Sequence, residues 1–180
     1  LGYTFQLYFD FSGYSDMAVG LGWLFGVRLP WNFDSPYKAI NIQDFWRRWH
    51  ITLSLFMRDY VYFPLGGSRR GVYRSYVNLI TTMLLCGLWH GANWTFVLWG
   101  LLHGVYLAIH RLCQLAISRL YPRSNPAGIT IFISSGVTFL AVVWAWVLFR
   151  APTLSSAKEM WWAMAGGNGL VLPGGLLARM

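Results

Sequence analysis

Charge is the scarcest property of this chain. Only 11% of its 180 residues are charged, and just 6 of them are acidic. Soluble domains carry about 25% charged residues. A shortage of this size, with 56% hydrophobic residues and a mean hydropathy of +0.44, excludes an ordinary soluble domain and indicates an integral membrane protein. Cysteine is also rare. Cys86 and Cys113 form neither a disulfide framework nor a metal-binding spacing, and each reads as a small buried hydrophobe. The histidines lack the i, i+4 pairing of a zinc helix, so no metal site is expected. No internal repeat and no signal peptide are visible. The chain opens inside an apolar segment, which reads as an internal part of a longer membrane protein.

The 14 basic residues leave a formal net charge of +8, but they form no continuous stripe of the kind nucleic acid requires. They gather in loops, as Arg69, Arg70 and Arg74 and again as Arg111, Arg119 and Arg123. That distribution marks cytoplasmic loops. Nucleic-acid binding is not expected; the membrane lipid is the expected surroundings. Aromatic residues reach 18%, and such rings favour the bilayer boundary and cavity walls.

Hydropathy and periodicity predict an all-α polytopic membrane architecture. Helices are expected over residues 3–27, 42–63, 76–89, 94–112 and 129–149, about four of them embedded in the membrane. Residues 42–63 carry too many charges for a lipid-exposed span and read as an interfacial or re-entrant helix. Ser12, Asp16 and Gly20 share one face of the first helix, which should turn toward other helices. Gly22 and Gly26 suggest a close helix contact. Residues 1–150 form one membrane domain, followed by a tail, residues 151–180, with a short amphipathic stretch near residues 158–164 and a Gly-rich end.

The most informative feature lies inside an uncharged run over residues 76–109. His90 sits there within Gly87-Leu88-Trp89-His90-Gly91-Ala92-Asn93-Trp94. An ionisable group at membrane depth is costly and is functional by default, and irregular backbone there must be surrounded by protein or line a cavity. With basic loops at both feet, the segment reads as a hairpin whose apex is this break. The leg over residues 76–89 spans about 21 Å, placing His90 short of the far surface. An imidazole can take a proton from a hydroxyl during acyl transfer; the plainer reading is a hydrogen-bonded packing histidine. His50, after Arg47-Arg48-Trp49, orients a substrate or His90, or is a solvated interfacial residue. Each is expensive unless it faces a polar space, so the two are expected to line one cavity. His103 and His110 share a face and read as structural or snorkelling. Arg47, Arg48 and Arg58 are suited to a phosphorylated donor such as coenzyme A, or to anchoring at the cytoplasmic surface. Arg47, Arg48, Trp89 and Asn93 form the expected donor-binding set.

Four stretches carry a specific resemblance: Tyr8-Phe9-Asp10-Phe11-Ser12-Gly13-Tyr14-Ser15-Asp16, Asp44-Phe45-Trp46-Arg47-Arg48-Trp49-His50-Ile51-Thr52-Leu53-Ser54, Arg58-Asp59-Tyr60-Val61-Tyr62-Phe63-Pro64-Leu65-Gly66-Gly67 and Leu88-Trp89-His90-Gly91-Ala92-Asn93-Trp94. In order and spacing they resemble the membrane-bound O-acyltransferase (MBOAT) family, especially its bacterial alginate O-acetylation branch. The likeness covers residues 8 to about 112 and does not include the family's N-terminal helices. It implies a polytopic helical fold around a central cavity, with His90 matching the family's essential histidine and His50 its second invariant polar position. It further implies O-acetyl transfer in the bacterial inner membrane. The acyl group comes from a cytoplasmic donor, acetyl-coenzyme A, with no bound cofactor. A periplasmic acetyltransferase partner completes delivery to an exopolysaccharide acceptor such as alginate. The related D-alanyl transfer proteins of teichoic-acid modification share the Trp-His motifs, while Pro64-Leu65-Gly66-Gly67 favours the acetylation branch. A transporter or channel subunit, with His90 as proton relay or gate, is the non-enzymatic alternative.

Overall fold

The computed structural model describes residues 1–120, 128–167 and 169. The loop expected over residues 121–126 and most of the Gly-rich end lie outside the described residues. Within them the chain is helical with no strand: α1 (Gly2–Leu24), α2 (Ile42–Arg48), α3 (Ile51–Met57), α4 (Val72–His90), α5 (Trp94–Leu120), α6 (Gly128–Arg150) and α7 (Leu154–Met164). Two helices, over Trp94–Arg119 and Gly128–Arg150, are long and apolar enough to cross a membrane. That is fewer than the four embedded segments expected. The lengths of α1 and α4 are sufficient, but Asp10 and Asp16 in α1 and Arg74 and Asn78 in α4 make them more polar.

The helix expected over residues 42–63 is broken. It divides into α2 and α3 at Trp49 and His50, which adopt extended and left-handed backbone conformations (His50 φ +42°). No glycine or proline marks the break. The preceding loop supplies the replacement hydrogen bonds instead. Ile51 N–H donates to the Asn32 carbonyl (3.0 Å), and Asp34 N–H donates to the Arg48 carbonyl (3.0 Å). Asn32 Oδ1 accepts from both the N–H and the hydroxyl of Thr52. With backbone groups satisfied in this way, burial of Phe45 and Trp49 decides the geometry; both are nearly inaccessible. The start of α2 is set by local chemistry. Asn41 Oδ1 accepts the Asp44 N–H, and Asp44 returns a carboxylate oxygen to the Ile40 N–H, a reciprocal cap. Beyond α3 the chain widens into a π-helical turn over Arg58–Tyr62, closed by Phe63 N–H on the Arg58 carbonyl.

The turn after it, Pro64-Leu65-Gly66-Gly67, is held from α4. Asn78, 2% exposed, donates from Nδ2 to the carbonyls of Leu65 and Gly67, both at 3.1 Å. Asn78→Ala strips one buried and one partly buried carbonyl of their donor and should cost about 1–3 kcal/mol. Thermal unfolding in detergent measures this; an unchanged midpoint refutes the assignment.

α4 and α5 form an antiparallel pair joined only by Gly91-Ala92-Asn93, so the break at His90 is narrower than expected. α4 begins earlier and runs 19 residues, roughly 28 Å, so a short leg does not set the depth of His90. Gly87 belongs to the helix. A Cβ on Gly87 would collide with the Phe96 carbonyl, and one on Gly100 with the Met83 carbonyl. Small residues therefore bring the two backbones together. Gly22, by contrast, meets Val27 and Leu29 of its own returning chain, and Gly26 (φ +72°) lies in that turn, so this pair makes no helix–helix contact. Asp16 and Gly20 are exposed; the buried residues of α1 are Thr4, Ser15 and Val19.

The core gathers where α2 and α3 meet α5 and α6: Phe45, Trp49, Trp99 and Trp146 interlock there, with Trp99 stacked on Trp146 at 5.8 Å. Large apolar side chains such as Phe132, Val137 and Leu140 remain exposed on α6, as a lipid-facing surface requires. The amphipathic stretch expected in the tail is α7. Thr153 caps it, Ala157 is fully buried, and Trp161 stacks on Trp144 at 5.5 Å.

Candidate active site

His90 is the last residue of α4. Its Nδ1 lies 2.7 Å from the Cys86 carbonyl, four residues back. A carbonyl only accepts, so Nδ1 carries a proton, and in the neutral imidazole Nε2 then keeps its lone pair. That is the tautomer a general base needs. Gly91 follows at φ +156°, where a Cβ would press on the Phe96 ring; only glycine turns the chain there without displacing that wall. Trp89, Trp99 and Phe149 stand edge-on to the imidazole at centroid distances of 5.0, 5.2 and 5.2 Å.

The α2–α3 break delivers His50 to the same place. Its ring meets Phe11 of α1 at 4.8 Å and Trp89 at 6.3 Å. The two histidines line one cavity of about 140 Å³ walled by Phe11, Trp49, Trp99 and Phe149. The two histidines share one cavity as expected, but its remaining lining is apolar and aromatic rather than polar. Burial pushes the His50 imidazole down to about 4, leaving it uncharged at neutral pH. A left-handed, non-glycine backbone at such a position stores strain that the surrounding packing must hold.

A second cavity, about 340 Å³, lies against the same helices. It is bounded by Trp46 of α2, Arg58 after α3, Met83 and Cys86 of α4, and Arg111 of α5. Arg111 donates to Ser75 Oγ at 2.6 Å, and its guanidinium lies over the Tyr76 ring, so this charge is held in place. Arg58 pairs with the adjacent Asp59.

The expected donor-binding set is dispersed. Arg48 is engaged by Asp44 (2.9 Å) and Asp34 (3.4 Å); that hydrogen bond to Asp44 raises its pKa. Neither Arg47 nor Arg48 lines either cavity. Asn93 is used structurally, donating to the Pro152 carbonyl (3.0 Å) and capping α5 through the Thr95 N–H. Of the four, only Trp89 reaches the histidine cavity. The arginines that line the second cavity are Arg58 and Arg111. Sequence reasoning also passed over the Cys86 carbonyl, because any residue four positions before His90 offers one. Trp99 and Phe149 were likewise missed, since they reach His90 only through the packing of α5 and α6. His103, expected to be structural or snorkelling, is completely buried and accepts a hydrogen bond from Trp46.

Comparison with known proteins agrees with the motifs. The chain is 53% identical over 172 residues to a peptidoglycan O-acetyltransferase of Helicobacter pylori, covering 96% of this chain and 32% of that protein. It is 52% identical over 164 residues to the probable alginate O-acetylase of Pseudomonas putida, covering 91% and 32%. A teichoic acid D-alanyltransferase of Streptococcus thermophilus is 38% identical over 115 residues, covering 60% and 28%. The chain thus spans about a third of the length of these relatives. The model of the membrane-bound O-acyltransferase family matches residues 1–154, a stretch containing both histidines and both cavities. The chain belongs to the membrane-bound O-acyltransferase family.

Proposed function

We propose that the full-length protein is a membrane O-acetyltransferase that moves an acetyl group from a cytoplasmic thioester, acetyl-coenzyme A, to hydroxyls of an extracytoplasmic polysaccharide. The observation that carries this reading is His90, its Nδ1–H spent on the Cys86 carbonyl, in a cavity shared with His50. His90 Nε2 takes the proton of the acceptor hydroxyl as its oxygen attacks the thioester carbonyl. The C–S bond then breaks, and the departing thiolate takes the proton from the imidazolium. His50 orients the acceptor across Trp89, and the aromatic walls limit competition from water. Arg58, paired with Asp59, and Arg111 line the second cavity and would attract donor phosphates there. A periplasmic acetyltransferase partner would carry the group onward from an inner-membrane, multi-pass protein.

The acceptor is an alginate-like or peptidoglycan polymer, since relatives named for each are similarly close. D-alanyl transfer is the more distant reading, at 38% identity. The test is base-labile acetate on exported polysaccharide, in cells lacking their own polymer O-acetylation and supplied with the full-length protein and its partner. Ion or proton flux without acetate would support a channel instead. His50→Ala should lower acetate by about 10²-fold through misplacement of the acceptor, without changing the amount of protein in the membrane. Unaltered transfer would remove His50 from the site.

A further inference from the structure

We propose that Trp46, latched by His103, is the partition that sets how long an acyl group the histidine cavity receives. This rests on the acyltransferase reading above and deepens it.

The two cavities lie along the same helices. On α4, Met83 and Cys86 face the larger cavity, whereas Trp89 and His90 face the smaller. Cys86 and His90 are separated by one turn, about 6 Å of rise. Trp46 borders the larger cavity, and Trp49 and His50, within four residues of it, border the smaller. Rings stand between them. The Trp46 ring meets Trp99 edge-on at 5.8 Å, and Trp99 meets His90 edge-on at 5.2 Å. A thioester held by its phosphates at Arg58 and Arg111 would present its acyl end to Trp46 and Cys86. The cavity beyond is less than half the size of the one before it. A short acyl group such as acetyl would pass such a boundary more readily than a longer one, whose added methylenes would be directed at the indole.

The latch is a specific polar contact. Trp46 Nε1–H donates to His103 Nδ1 at 3.3 Å. Indole nitrogen only donates, so the imidazole is neutral with its remaining proton on Nε2. His103 is 0% exposed, stacked on Phe45 and edge-on to Trp99, and its Nε2 has no hydrogen-bond partner among the described residues. An apolar ring would fill this space without leaving a buried donor unpaired. What imidazole adds is the acceptor that fixes the indole, so His103 is a positioning residue for Trp46.

The experiment uses the full-length protein in native membranes with acetyl-, propionyl- and butyryl-coenzyme A as probes, reading ester-linked acyl groups on the polymer as kcat/KM. One methylene in an apolar pocket is worth about 10–200-fold in discrimination. Trp46→Leu and Trp46→Ala should therefore raise the butyryl-to-acetyl ratio by at least about 10-fold. His103→Phe should raise it in the same direction with acetyl transfer retained, and His103→Gln, which keeps an acceptor, should restore selectivity toward wild type. A general loss of fold lowers all three donors together and cannot move the ratio. If Trp46 variants keep acetyl transfer with an unchanged ratio, the proposal is overturned. It is equally overturned if they reach the membrane at wild-type level and lose every transfer in parallel. A wild-type protein that uses none of the thioesters overturns the acyltransferase reading itself, a result distinct from an unmoved ratio.

Discussion

His90→Gln lowers acetate transfer to the polymer by about 10²–10⁴-fold, the range that general-base catalysis supplies, while the protein stays folded in the membrane. Glutamine retains a side-chain amide able to donate to the Cys86 carbonyl, which now takes the Nδ1–H of the imidazole at 2.7 Å. It cannot accept a proton from a hydroxyl at neutral pH. The variant therefore separates chemistry from packing against Trp89, Trp99 and Phe149. The fall should appear in kcat with little change in donor KM, because the expected phosphate contacts at Arg58 and Arg111 are untouched. Transfer at the wild-type rate by His90→Gln would make His90 a packing residue and end the catalytic assignment.

The second large effect is expected in the α4–α5 hairpin, at a contact between backbones. Gly100→Val places branched carbons against the Met83 carbonyl and the Gly87 Cα. Both are backbone, so neither can swing aside as a side chain would. Overpacking of this kind costs about 1–3 kcal/mol, and the hairpin can relieve it only by spreading. Spreading would displace His90 at the end of α4, so transfer should fall along with the unfolding midpoint measured in detergent. Gly136→Ala on α6, where nothing lies within 4 Å of the added carbon, is the control: transfer should be unchanged and the midpoint should not fall, since alanine favours a helix over glycine. A Gly100→Val protein with the wild-type midpoint would show that the two helices are less closely apposed than described.

Much of the site was visible in the residues, for a physical reason. A histidine in a long uncharged run is costly wherever the chain folds, so His90 announces itself before any contact is known. The break at His50 was not visible. Residues 42–63 have continuous helical periodicity, and the hydrogen bonds lost at the break are replaced by Asn32 and Asp34 from a separate loop. The donor-binding set was misplaced for a related reason. Arg48 and Arg58 are the same residue type in similar sequence surroundings. Both pair with carboxylates, and which of them also lines a cavity depends on how α2 and the turn after α3 pack against α4 and α5.

The sequence by itself determined the class of structure and the family: all-helical segments, a membrane setting and two essential-looking histidines, all of which follow from hydropathy, cost of burial and short motifs. Tertiary structure alone decided which polar groups meet. It brought Trp99 and Phe149 around His90 and Phe11 against His50, and set Trp46 against the larger cavity with His103 behind it. Those partners come from α1, α2, α5 and α6, separated by tens of residues. No pattern of spacing records such proximity, because it arises from the close packing of helices whose pairing is settled only when the whole core forms.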